Sequence, residues 1–144
     1  MHRSPKASLC AVAVLAPLVF TLVGCGSSHE LETARVKGHV TIDGVPATSG
    51  YVMVLPKKGR MAKGAIEQDG TFVLGTYRDS DGAQVGQHAA VVTPVPSDEG
   101  GPRVKGGPKI PRRYHSASSS RLTVKVEPGG LDDWHIELSS SKKQ

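Results

Sequence analysis

Hydrophobic and polar residues alternate one by one along much of the chain after residue 35. Val36, Gly38, Val40 and Ile42 fall on one face, and Lys37, His39 and Thr41 on the other. That period of two marks a strand with one buried face. Asp43-Gly44 follows, a pair suited to a turn with positive φ. Gly50 to Leu55 is apolar on both faces, which predicts a central or doubly covered strand. Pro56-Lys57-Lys58-Gly59 turns the chain, since proline cannot donate to a ladder. Met61 to Glu67 reads as a weaker strand and Thr71 to Tyr77 as its neighbour, with Phe72 and Leu74 inward. Ile66, the Asp69-Gly70 turn and Phe72 make the strongest hairpin signal. After the loop Asp79-Ser80-Asp81-Gly82 comes a longer strand, Gly86 to Thr93.

Residues 94–120 break this rhythm with Pro, Gly and Ser, and a loop of that length is functional or disordered more often than structural. Ile110 and Tyr114 carry apolar area worth burying and are expected to pin its end, beside a disordered basic stretch from Ser97 to Lys109. Alternation resumes with Leu122, Val124 and Val126, then Trp134, Ile136 and Leu138. Seven short strands without a convincing helical stretch predict an all-β fold, a seven-stranded antiparallel β-sandwich. Its expected core is Val36, Val40, Ile42, Val52, Val54, Ile66, Phe72, Leu74, Val91, Leu122, Val124, Val126, Trp134, Ile136 and Leu138.

Ahead of this domain the pattern is different. His2, Arg3 and Lys6 precede an apolar run, Leu9 to Val23, that is too short for a permanent membrane helix of about 20 residues. It has the length and flanks of a secretory signal. The run ends in Leu22-Val23-Gly24-Cys25, which resembles the lipobox of bacterial lipoproteins. That resemblance implies cleavage between Gly24 and Cys25 and a diacylglycerol on the Cys25 thiol. The chain then divides into a signal at 1–24, a lipidated tether at 25–34, a domain at 35–139 and a polar tail at 140–144. Gly26 replaces the Asp that often signals inner-membrane retention, so the outer membrane is favoured over the inner.

Composition narrows the chemistry. The 144 residues hold 18 Lys+Arg and 13 Asp+Glu; Arg3 and Lys6 leave with the signal, so the remaining charge is a mild +3. That excess is too small to argue for nucleic acid. Cys10 leaves as well and Cys25 is committed to lipid, so no thiol remains for a disulfide, a zinc cluster or a nucleophile.

Val36-x-Gly38-x-Val40-x-Ile42-Asp43-Gly44-x-Pro46, then Gly50-x-Val52, Gly64-x-Ile66-x-x-Asp69-Gly70-x-Phe72 and Asp81-Gly82-Ala83-x-x-Gly86-x-His88-x-x-Val91 occur in this order. The succession resembles the carboxypeptidase regulatory-like domain, a transthyretin-like sandwich found in small bacterial lipoproteins. Ile110-Pro111-Arg112-Arg113-Tyr114 matches a motif those lipoproteins carry before the last two strands. The resemblance implies a folding or docking unit without a catalytic zinc site.

Candidate sites are few. Asp79-Ser80-Asp81-Gly82 shares part of a calcium loop, but an EF-hand aligned on Gly82 meets Tyr77 and His88 at ligand positions. His29, His39, His88, His115 and His135 show no i,i+2 or i,i+4 spacing, so any pair must form across strands. Ser116 and Ser118–Ser120 lack a Gly-x-Ser-x-Gly elbow. The transthyretin-like hydroxyisourate hydrolases end in Tyr-Arg-Gly-Ser, whereas this chain ends Ser-Lys-Lys-Gln. No residue is assigned to catalysis, and no cofactor or metal is expected. The basic loop 96–120, with Arg103, Lys105, Lys109, Arg112, Arg113 and Tyr114, is the candidate interaction segment. The reading is an exported, lipid-anchored structural or interaction module of the cell envelope, meeting membrane through Cys25 and a protein or anionic polymer through the loop. A module binding glycan or another envelope polymer is the alternative, which exposed aromatics in a groove would favour; a small hydrolase ranks below both.

Overall fold

The computed structural model describes residues 30–96 and 107–141. Its hub is β2 (Val36–Ile42), where alternation buries Val36, Val40 and Ile42. Asp43 and Gly44 turn the chain with φ of 50° and 82°, and β3 (Val45–Pro46) returns along β2. Two consecutive positive φ values match the twist of a tight hairpin, and they explain the Asp-Gly pair. The same sheet takes β6 (Thr71–Val73) and β10 (Leu131–Leu138) against β2.

A second four-stranded sheet runs in the order β5 (Ala62–Ala65), β4 (Tyr51–Leu55), β8 (Gly86–Thr93) and β9 (Leu122–Val126). β4 is central, as its two apolar faces require. A short ribbon joins β1 (Thr33–Ala34) to β7 (Ala83–Gln84). Val36, Phe72, Ile136 and Leu138 of one sheet and Val52, Val54, Val92 and Val126 of the other enter a single apolar cluster. The fold is all-β and sandwich-like.

Several local expectations change. The β2–β10 pair is parallel, an exception to antiparallel pairing throughout. β9 and β10 follow one another but belong to different sheets, so β10 reaches β2 through a crossover made of nearly the whole domain. The Asp69-Gly70 turn forms, with Glu67 N donating to Thr71 O at 2.8 Å, yet its strands part. β5 pairs with β4 and β6 with β2, and they rejoin only at the Lys63–Gly75 bridge. Ile66 and Phe72 are both buried, so the turn arches over the core edge instead of closing a hairpin.

Within β8 the core-facing pair is Ala90 and Val92, opposite Val54 and Val52. Val91 is buried too, but it lies on the other face with Met53. Both faces of this strand are apolar, which hid the phase. Leu122 and Trp134 pack on the core while staying partly exposed. Finally, the region after residue 106 holds a 3₁₀ turn (Arg112–Tyr114) and α1 (Ala117–Ser120), where no helical structure was expected.

Candidate functional site

The basic segment divides in the structure. Lys109 and Arg112 are exposed, whereas Arg113 is half-buried and Tyr114 buried. Arg113 Nη2 donates to Ser139 O and to Tyr114 Oη, and the Tyr114 hydroxyl accepts from Ser139 N at 3.1 Å. The guanidinium also lies 4.8 Å from the Tyr114 ring centre. Arg113 and Tyr114 therefore clasp the end of β10. Ile110 packs against the core, so the expected pin at the loop's end is present. Arg103 and Lys105 lie outside the described residues, as does the stretch 97–106 in which disorder was expected. Gly24 and Cys25 lie outside them as well.

A different feature is an open groove beside β4 and β5. Tyr51, Lys63, Glu67, Tyr77, Arg78 and Asp79 line a groove of about 690 Å³, within the size range of small-ligand sites. Tyr51 and Lys63 sit diagonally across β4 and β5, because Tyr51 opposes Ala65 and Lys63 opposes Met53. Diagonal neighbours on one face are within reach of long side chains, and Lys63 Nζ lies 3.6 Å from the Tyr51 ring centre. Tyr77 is half-buried, and its hydroxyl accepts from Leu31 N at 3.0 Å. The groove thus offers two phenol rings beside cations and carboxylates.

The wall carrying Tyr77 is held by Asp81. Its carboxylate accepts the amides of Thr76 at 2.6 Å, Tyr77 at 3.0 Å and Arg78 at 3.0 Å. Partial burial works to raise the Asp81 pKa, but the three amides together outweigh it and hold the group below the ordinary carboxylate value. The loop that shares part of a calcium pattern is thus a turn organised by its own carboxylate. Asp81→Ala is expected to lower stability by about 1–3 kcal/mol, since two partly buried donors and one exposed donor lose an ionised acceptor. The folded-state pKa is depressed, so this contribution is present above the unfolded value near 3.8 and fades as pH falls through the folded one. Denaturant titrations at descending pH check it: the gap between wild type and variant should narrow only in acid.

His39 and His135 do meet across strands, their ring centres 4.2 Å apart on the paired β2 and β10. Asp133 lies 3.5 Å from His39 Nδ1, and Thr41 Oγ1 lies 3.2 Å from His135 Nε2. No group of three His, Cys, Asp or Glu among the described residues is arranged to hold a metal. Among the same residues no helix is long and apolar enough to cross a membrane.

No family model, curated protein or solved structure matches this chain. The groove was missed in sequence because Tyr51 and Tyr77 are distant in the chain and belong to different elements. In sequence Tyr51 is one more apolar residue of the Gly50–Leu55 strand, and Tyr77 only the end of another. Ser120 was missed too: it is buried, with Oγ donating to Ala90 O at 2.6 Å.

Proposed function

We propose that this chain is an exported, lipid-anchored β-domain serving as a non-catalytic structural or interaction module at the cell envelope. The observation that carries the reading is Leu22-Val23-Gly24-Cys25 after a short apolar run, a few residues ahead of an all-β domain. The lipid on Cys25 is the membrane contact, and Gly26 favours the outer membrane. The finer fold we assign is the seven-stranded, carboxypeptidase regulatory-like sandwich. The ordered Gly, Pro and Asp-Gly positions support it, as do two sheets that share one core. The exposed Lys109 and Arg112 belong to the surface offered to a protein or anionic polymer.

A second reading, an envelope glycan-binding module, is favoured by Tyr51 and Tyr77 in one groove. Ring faces stack on the apolar face of a sugar, and Glu67 and Asp79 supply acceptors for its hydroxyls.

One preparation tests both readings. Envelopes of cells expressing wild type or Cys25→Ser are extracted with detergent and the protein is weighed intact. Wild type should lack residues 1–24 and carry a diacylglycerol; Cys25→Ser should keep residues 1–24 and carry none, because serine forms no thioether. Normal processing of the variant would sink the lipobox reading. Retention of the extracted wild type on isolated cell-wall sacculi, lost in Tyr77→Ala, would favour the glycan reading.

A further inference from the structure

The second half of the tether, from Glu30 onward, is fixed to the domain, and it is fixed at one end of it. Leu31 N is bonded to Tyr77 Oη, Arg78 pairs with Glu30 at 3.3 Å, and Val85 N donates to Glu32 O at 3.0 Å. Leu31 also packs on the β4–β5 loop: a side chain at Gly59 would sit 2.7 Å from Leu31 Cδ1. That loop carries Lys57, Lys58 and Arg60, all exposed, and no acidic residue occurs between 51 and 66. Beside them Leu31 and Met61 leave apolar area open, at 37% and 50% exposure. Cations and apolar side chains therefore share the end at which the chain joins the domain.

The length of chain outside that end sets the distance to a membrane. From Cys25 to Glu30 is five residues, which span at most about 17 Å when fully extended. An anchor at Cys25 holds this end of the domain against the lipid surface and points the β2–β3 turn away from it. Cations near an anionic leaflet are attracted over roughly the Debye length of about 8 Å, and exposed leucine and methionine beside them suit the headgroup boundary.

We propose that the Lys57–Arg60 loop, with Leu31 and Met61, is a lipid-facing surface that rests on anionic phospholipid headgroups. It depends on the anchor reading for Cys25 and adds to it an orientation and a lipid preference. The tether is then more than a leash, because its own second half organises the surface that meets the membrane.

The test uses the processed, lipid-bearing protein in vesicles of zwitterionic lipid with or without anionic phosphatidylglycerol. A single thiol is introduced as Lys58→Cys or, at the far end, as Val45→Cys, and carries a polarity-sensitive fluorophore. With Cys25 in thioether linkage, the new thiol is the one labelled. The expected result is several-fold stronger quenching by headgroup-borne quenchers at position 58 than at 45, in anionic vesicles. High salt, or Lys57→Glu with Arg60→Glu, should reduce the difference. Each sample is weighed intact. A mass without lipid overturns the anchor and this surface with it. A lipid-bearing protein quenched equally at 58 and 45 overturns the surface alone, as does quenching at 58 that ignores lipid charge and charge reversal.

Discussion

Phe72→Ala is expected to remove about 3–5 kcal/mol of stability, a large share of the roughly 5–15 that a domain of this size holds. Phe72 is 2% exposed and stands edge-on to Trp134, with ring centres 5.8 Å apart and planes at 78°. Edge-to-face contact adds to the plain burial of the ring. Phe72 also lies opposite Gly38 in the register of β6 against β2, so the void opens beside the hub strand. The neighbours have little freedom to fill it, since a Cβ on Gly38 would already sit 2.0 Å from Trp134 O. Equilibrium denaturation should show a lower midpoint with an unchanged slope. An unchanged midpoint would contradict the packing described.

Gly82→Ala ranks next, and its cost comes from the backbone. Gly82 has a φ of +89°, and a Cβ there would lie 1.8 Å from Ala34 O. Left-handed conformation costs a residue with a Cβ about 1–2 kcal/mol, and overpacking typically adds about 1–3, for a total of about 2–5. The β1–β7 ribbon has to move away for the methyl group to fit. Two further alanines separate the terms. Gly44→Ala meets no atom within 4 Å at φ +82°, so it reports the left-handed cost alone. Gly129→Ala meets nothing within 4 Å and has no left-handed φ, so it should be close to neutral. A Gly82→Ala domain as stable as Gly129→Ala would refute the close approach of Gly82 to Ala34.

Most strands were legible because their alternation is strict. Val36, Val40 and Ile42 in β2, and Ile136 and Leu138 in β10, each left one choice of buried face. Where both faces are apolar, as at Val91 and Val92, alternation cannot choose between them, and only the register with Val52 and Val54 does. Partners across sheets were not legible either. A strong turn signal at Asp69-Gly70 says that the chain reverses, not that the reversed strands stay together. The same limit applies to the candidate site. The basic residues of 96–120 drew notice as a run in sequence, yet Arg113 is occupied with Tyr114 and Ser139. The groove needs β4, β5 and the loop held by Asp81, elements that only the folded chain brings side by side.

The parallel union of β2 with β10 has a consequence for the order in which the molecule can form. β2 opens the hub sheet, and the strand that completes its other side is the last among the described residues. Until Leu131–Leu138 has left the ribosome, β2 keeps one rank of amide and carbonyl groups unmatched. Contacts that join the two ends of a chain carry a high loop-closure cost and fold slowly. Completion of the hub sheet therefore waits for β10, the latest of its strands to be synthesised.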